Sequence, residues 1–225
     1  MSPVAAAERV TAFLRKVYGW MSVGLAVTAF VALQVASSPT ILRVLTSSPI
    51  VILLLIGAQL ALVFTLSARA ARLAPSTATG LFVAYSALTG VTISFVLLAY
   101  TGESVASTFL VTATMFGAMA LYGTATKRSL AGFGQFMFMG LVGIILASIV
   151  GIFWHNDALQ FVISAIGVIV FTGLAAWDAQ RMKQMALAVP EGQIGSYAIV
   201  GALSLYLDFI NLFLFLLRFM GNRRE

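Results

Sequence analysis

Seven apolar runs, each long enough to cross a bilayer, take up most of this 225-residue chain; by windows of about 19 residues they cover 17–35, 49–66, 79–99, 104–124, 133–153, 158–177 and 198–219. A segment in hydrocarbon finds no water for its N–H and C=O groups, and a run of this length satisfies them internally as an α-helix. With 61% hydrophobic and 9% charged residues, and a mean hydropathy of +1.04, the chain lacks the charge to coat a soluble globule of its size. The expected fold is all-α: a polytopic membrane protein built as a seven-transmembrane-helix bundle. The longest connection, 178–197, is too short for a second domain. Residues 1–225 are therefore expected to form one transmembrane domain, with an N-terminal segment at 1–16, spans over 17–219 and a basic tail at 220–225.

The net charge of +6 does not point to nucleic acid, because the cations follow the spans instead of clustering in a stripe with interleaved aromatics. Arg9, Arg15, Lys16, Arg69, Arg72, Lys127, Arg128, Arg181 and Lys183 fall on one side of the predicted topology. Arg43, Arg218, Arg223 and Arg224 fall on the other. The positive-inside rule makes the first side cytoplasmic, so the N-terminus is expected inside and, after seven crossings, the C-terminus outside. A last span that turned back would carry the basic tail inside; residues 198–219 form a full-length run without proline, which favours a complete crossing. The first run exceeds a signal-peptide core and reads as a retained helix. The chain has no cysteine, which excludes disulfides and thiolate chemistry.

Within the last run, residues 197–219 read YAIVGALSLYLDFINLFLFLLRF, with Asp208 near the centre and no cation within nine positions. An acid at such a depth costs roughly 2.5–3.5 kcal/mol on insertion scales and normally faces a bundle interior with a partner or a task. Gly201, Ser204, Asp208, Asn211, Phe215 and Arg218 recur at three- and four-residue spacing, so the polar residues share one helix face. Ser204 and Asn211 are thus polar neighbours of Asp208. Helical glue through Asp208 and Asn211 is the plain reading, but an amide would serve as glue without an ionisable group. Among the other acids, Glu8 and Glu225 are terminal, Glu103 and Asp157 fall in predicted outer loops, and Glu191 falls in the last cytoplasmic loop. Asp178 ends the sixth run at the cytoplasmic side, and the chain re-enters from that side to reach Asp208. The two carboxyls can meet if the sixth and seventh spans are antiparallel neighbours.

Elsewhere the patterns read as packing. Gly143, Ala147 and Gly151 repeat at four-residue spacing, which allows close helix approach. The hydroxyls of the third and fourth spans, among them Ser86, Thr89, Thr92, Thr112 and Thr114, are expected to bond mainly to backbone.

The run Leu203-Ser204-Leu205-Tyr206-Leu207-Asp208-Phe209-Ile210-Asn211-Leu212-Phe213, followed by Leu216-Leu217-Arg218, closely resembles the C-terminal signature of the transmembrane Bax inhibitor motif family, bacterial branch. Ser86-Ala87-Leu88-Thr89-Gly90 resembles the family's pattern on the third span, and Asp178 falls where the family places its other buried aspartate. The resemblance extends over all seven spans. It implies a bundle with the last helix central, and Asp178 and Asp208 as a proton-sensitive pair near the cytoplasmic end. It also implies a pH-dependent calcium leak in the inner (plasma) membrane. A basic latch at the cytoplasmic end of the second span is implied too, for which Arg69 is the candidate. Family members are also described as cell-death or stress-response suppressors and, in bacteria, as modulators of a membrane-bound protease, which is the alternative function and the one protein partner expected.

Two carboxyls close together at low dielectric cannot readily both ionise and so share a proton. The proton-shared state is favoured at low pH and lost as pH rises; which state conducts does not follow. Carboxylate oxygens suit hard cations such as Ca²⁺, and two acids without a richer oxygen cage suit transient passage at Asp178 and Asp208. Calcium is then the permeating ion, and no cofactor is expected. An intramembrane aspartyl protease fits poorly, since Leu205-Tyr206-Leu207-Asp208 stands where a Gly-x-Gly-Asp turn would be required. A serine protease fits worse, with the single histidine, His155, in a predicted outer loop. A retinal protein needs a lysine in its last span, and none follows Lys183. A non-enzymatic leak is thus preferred, with a proton-coupled transporter a weaker reading.

Overall fold

Serine followed by proline opens three of the helices, and each pair acts in the same way. In the computed structural model, which describes residues 2–69, 72–154 and 156–224, the side chains of Ser2, Ser38 and Ser48 accept from the backbone N–H groups of Ala5, Ile41 and Ile50, while Pro3, Pro39 and Pro49 occupy the first helical turn. The hydroxyl satisfies an N–H that the helix cannot, and proline has none to satisfy. The helices are α1 (Pro3–Ala36), α2 (Pro39–Thr46), α3 (Pro49–Ala68), α4 (Pro75–Ala99), α5 (Gly102–Ala125), α6 (Ala131–Phe153), α7 (Asp157–Ala188) and α8 (Ile194–Met220), with a 3₁₀ turn at Glu191–Gln193. Among the described residues, seven of them, all but α2, are long and apolar enough to span a membrane. The seven spans expected from hydropathy are all present.

Two of these helices are longer than their apolar runs. α1 starts at Pro3, so residues 3–16 are helical and not an irregular leader, and its 34 residues extend about 51 Å, well beyond a hydrocarbon core of about 30 Å. α7 does not end at Trp177 but continues to Ala188. Hydropathy stops where polarity begins, whereas the helix continues through Ala, Gln, Arg, Met and Lys, all strong helix formers, until Pro190 cannot continue it. Glu103 and Asp157, expected in loops, lie in the first turns of α5 and α7, where a negative charge complements the helix dipole.

The chain forms two compact units. The first comprises Met1–Ala99, Met185–Tyr206 and Arg224. Within it α1 packs along α4, and Phe13, Val17, Met21, Gly24, Thr28, Ala32 and Val35 make the buried stripe of α1. Gly24 and Gly90 set the approach. A Cβ on Gly90 would stand 2.7 Å from the Thr28 carbonyl oxygen, so a side chain there would force the helices apart. At this crossing the Thr28 hydroxyl donates to Ser86 O at 2.9 Å and lies 2.6 Å from the Tyr206 hydroxyl. Tyr206 is fully buried and meets Phe82 and Tyr85 edge-on, with ring centroids 5.7 and 5.9 Å away. Thr28→Val keeps the shape but leaves the Tyr206 hydroxyl without this partner, and is expected to cost about 1–3 kcal/mol. Thermal unfolding in detergent should show the loss, and Thr28→Ser should recover most of it.

The second unit comprises Tyr100–Gln184 and Leu207–Arg223. Its interior is aromatic. Phe109 and Phe116 each meet Phe209 with centroids 5.5 Å apart, and Phe171 stacks on Phe215 at 5.6 Å. At one end, Thr101 N–H donates to Asn222 O at 3.1 Å, and Asn222 N–H donates to the Ser104 hydroxyl at 2.9 Å. The far end of α8 is thereby joined to the start of α5. α8 is unbroken over 27 residues, about 40 Å, and does not turn back. It is also the most buried span, with 67% of its apolar window buried against 6% for α3.

Small residues on α6 act at other positions than the sequence pattern suggested. Gly143 has open space on its side-chain face, and Gly151 faces the end of a flexible side chain, Gln160 Nε2 at 3.1 Å. The tight contacts of this helix are at Gly134, against Trp177, and at Gly140, 2.9 Å from a Val170 methyl. A four-residue repeat identifies a face and leaves open whether another helix covers it. Most hydroxyls of α4 and α5 bond to the preceding turn, as Ser86 to Phe82 O, Thr89 to Tyr85 O and Thr112 to Thr108 O do.

Candidate functional site

The segment Ala175–Ala179 of α7 is small except at Trp177 and Asp178, and the small residues are what let other helices close over it. Ala175, Ala176 and Ala179 are wholly buried. Gly123 of α5 presses against the Ala176 carbonyl, and Gly134 of α6 leaves the gap that the Trp177 indole fills. Two hydrogen bonds from Gln180 fix the α5–α6 connection to this helix: its Oε1 accepts from Leu130 N–H at 2.8 Å, and its Nε2 donates to Arg128 O at 2.9 Å. Lys183 Nζ donates to Thr124 O, in the last turn of α5, at 3.1 Å. Asp178 is therefore an interior residue of a clamped helix, not the frayed end of a span.

Asp178 on α7 and Asp208 on α8 belong to the same unit, and each is 6% exposed. Their carboxyls lie close enough to act on one another. Carboxylates only accept, so a hydrogen bond between two such acids requires a proton on one of them. The structure places the two acids in one unit, each buried, as the sequence reading required for them to approach. Asp208 Oδ2 is buried without a hydrogen-bond partner among the described residues. Arg181, three residues beyond Asp178, places its Nη1 3.9 Å from Asp178 Oδ1 and lies over the Trp177 ring at 5.8 Å.

Asn211 and Ser204 lie on the same helix as Asp208. The Asn211 amide donates to Leu207 O at 2.8 Å, one turn back on its own helix. Ser204, one turn before Asp208, is partly buried and belongs to the first unit. Arg69 is exposed in that unit, at the C-terminal end of α3, where its N–H donates to Thr65 O. His155 and Glu225 lie outside the described residues. Among the described residues no group of three or more His, Cys, Asp or Glu side chains is placed to hold a metal ion. Two carboxyls fall well short of the six to eight oxygens that bind calcium firmly.

In the sequence Arg181 and Arg9 read only as cations of the cytoplasmic side. Asp178-Ala179-Gln180-Arg181 has the i,i+3 spacing of a helical ion pair, a signal lost when the helix is ended at Trp177. Arg9 donates from Nε to Ala186 O at 2.8 Å and from Nη2 to Val189 O, capping the last carbonyls of α7 from the N-terminal extension of α1. A cation suits a helix C-terminus. Arg9→Ala is expected to expose these carbonyls and speed amide exchange over 184–189 by several-fold, with little change elsewhere in α7. Hydrogen-exchange mass spectrometry checks it.

The family model described as inhibitor of apoptosis-promoting Bax1 matches residues 10–225. The chain is 51% identical over 215 residues to the inner membrane protein YbhL of Escherichia coli K12, covering 94% of this chain and 92% of that one. It is 43% identical over 215 residues to a protein of Borreliella burgdorferi, covering 95% and 93%. A Caulobacter vibrioides protein is 54% identical over 133 residues, 58% of this chain and 53% of its own.

Proposed function

Since the chain belongs to the Bax inhibitor family of membrane proteins, we propose that it is a pH-sensitive calcium leak of the inner membrane, gated by the proton shared between Asp178 and Asp208. The observation that supports this most directly is the burial of two acids that act on one another within one unit. Removal of the shared proton leaves two like charges together at low dielectric, and the site relieves that repulsion by separating the helices or admitting cations. Protonation restores the bond. Stability of the paired state is thus present at low pH and lost as pH rises through the titration of the pair. The paucity of other oxygen ligands favours brief contact with a passing cation over storage.

The inner-membrane placement follows the name of the Escherichia coli relative. The orientation follows the distribution of basic residues, with the N-terminus cytoplasmic and the C-terminus outside. Arg69 is assigned the latch that holds the closed state, as the family resemblance implies. Arg69→Gln is expected to raise calcium flux several-fold at the pH where the wild type is least active, while leaving the protein folded.

The deciding experiment reconstitutes the purified chain in vesicles loaded with a calcium dye and follows uptake across roughly pH 6–8, the range over which physiological switches titrate. Protein-dependent flux that changes with pH is expected. Flux indistinguishable from empty vesicles at every pH would overturn the leak and favour a nonconducting partner of a membrane-bound protease.

A further inference from the structure

We propose that the α5–α6 connection and the turn of α7 beside it bind the headgroup of an anionic phospholipid, with Lys127, Arg128 and Arg181 as the cations that meet its phosphate. Such binding is independent of whether the protein conducts ions.

α5 has 24 residues and α6 has 23, about 36 and 35 Å of helix. Both only slightly exceed a hydrocarbon core of about 30 Å, so the short connection between them, 126–130, lies at the level of the lipid headgroups. Lys127 and Arg128 are exposed there. The connection is pinned to α7: buried Gln180 accepts from Leu130 N–H and donates to Arg128 O, and Lys183 donates to Thr124 O just before it. Arg181 follows Gln180 directly. Its half-exposed guanidinium stands over Trp177, whose ring fills the gap left by Gly134 in the first turn of α6. Three cations are thereby held around the start of α6.

No exposed acid of this unit competes for a phosphate among the described residues. Glu103 and Asp157 lie in the first turns of α5 and α7, at the other end, and Asp178 and Asp208 are buried. Asp178 stands 3.9 Å from one nitrogen of Arg181, and a guanidinium has further N–H groups to offer a phosphate. On the membrane side of the cations, Phe133 rests on Gly173 of α7 while remaining partly exposed, and Tyr122 and Phe136 are exposed on α5 and α6. A free phosphate gains nothing from this aromatic surface. A phospholipid uses both parts, its headgroup on the cations and its acyl chains on the rings, and basic pockets at the ends of spans recognise anionic headgroups in this way.

Native mass spectrometry of the purified chain, given equal amounts of phosphatidylglycerol and phosphatidylcholine with the same acyl chains, reads the choice of headgroup. The wild type should carry phosphatidylglycerol in excess. Lys127→Gln with Arg128→Gln should lower that excess roughly tenfold, and Arg181→Gln alone about fivefold. The Gln180 clamp uses backbone groups of Arg128 and Leu130, so the double variant should keep the wild-type unfolding temperature, and Lys127→Arg with Arg128→Lys should keep the lipid as well. Arg15→Gln with Lys16→Gln removes the same charge from the exposed face of α1 and should leave the excess unchanged. Equal uptake of the two lipids by the wild type would overturn the site. An equal loss in the two Gln double variants would show attraction to net charge alone and would overturn it too. Inorganic phosphate at the concentration of the lipid should not displace it; displacement would assign the surface to free phosphate instead of a lipid.

Discussion

Replacing Asp208 by asparagine is expected to flatten the pH profile of calcium flux. In the wild type, one proton exchanged between paired and separated states changes their ratio by up to about tenfold per pH unit, or about 1.4 kcal/mol. Asparagine keeps the size of the side chain and can donate to Asp178 from its amide, so the paired arrangement survives at every pH and the variant should hold one level of flux throughout. The outcome expected is the flux of the low-pH wild type, whether that is the open or the closed level. Dye-loaded vesicles prepared with both proteins at equal density provide the comparison. A variant that retained the full wild-type pH response would move the sensor away from this pair.

A side chain at Gly123 is expected to remove most of the folded protein. Its missing Cβ faces the carbonyl of Ala176, which is backbone in the middle of α7 and cannot rotate away. Leucine there would separate α5 from α7, undo the Lys183–Thr124 and Gln180–Leu130 bonds on the same face, and let lipid or water reach Asp178. Overpacking in a well-packed interior costs about 1–3 kcal/mol, and a backbone clash lies at the upper end or beyond. Size-exclusion chromatography and thermal unfolding should show aggregation or a strongly lowered transition for Gly123→Leu. Gly143→Leu, on a face with open space, should behave as the wild type. Similar behaviour of the two variants would mean that the α5–α7 approach does not limit stability.

The acids show how far sequence reasoning reaches. Asp208 could be found because a charge in an apolar run is conspicuous against its neighbours, and Asp178 could be paired with it because the loop between their spans is short. Arg181 could not be found by the same reasoning, since ending the helix at Trp177 placed it in a loop, where three-residue spacing has no geometric meaning. Arg9 was hidden for a related reason. Its partners are the Ala186 and Val189 carbonyls, and no residue type in the sequence marks a backbone oxygen as needing a cation. The glycines divide in the same way: Gly143 and Gly151 make the more regular pattern, while Gly123 and Gly134 make the contacts that enclose the site.

The sequence by itself determined that the chain enters a membrane as seven helices, that its last helix carries an acid needing a partner, and which family signature surrounds that acid. Those properties depend on hydrophobicity and local spacing, which are sums over neighbouring residues. Only the tertiary structure decided that α7 continues past its apolar run, that Asp178 is buried in the same unit as Asp208, and that Arg181 stands beside it. Each of these depends on which helix covers which face, because burial and pairing are set by residues distant along the chain, and a helix ends where its backbone bonding fails, not where its hydrophobicity does.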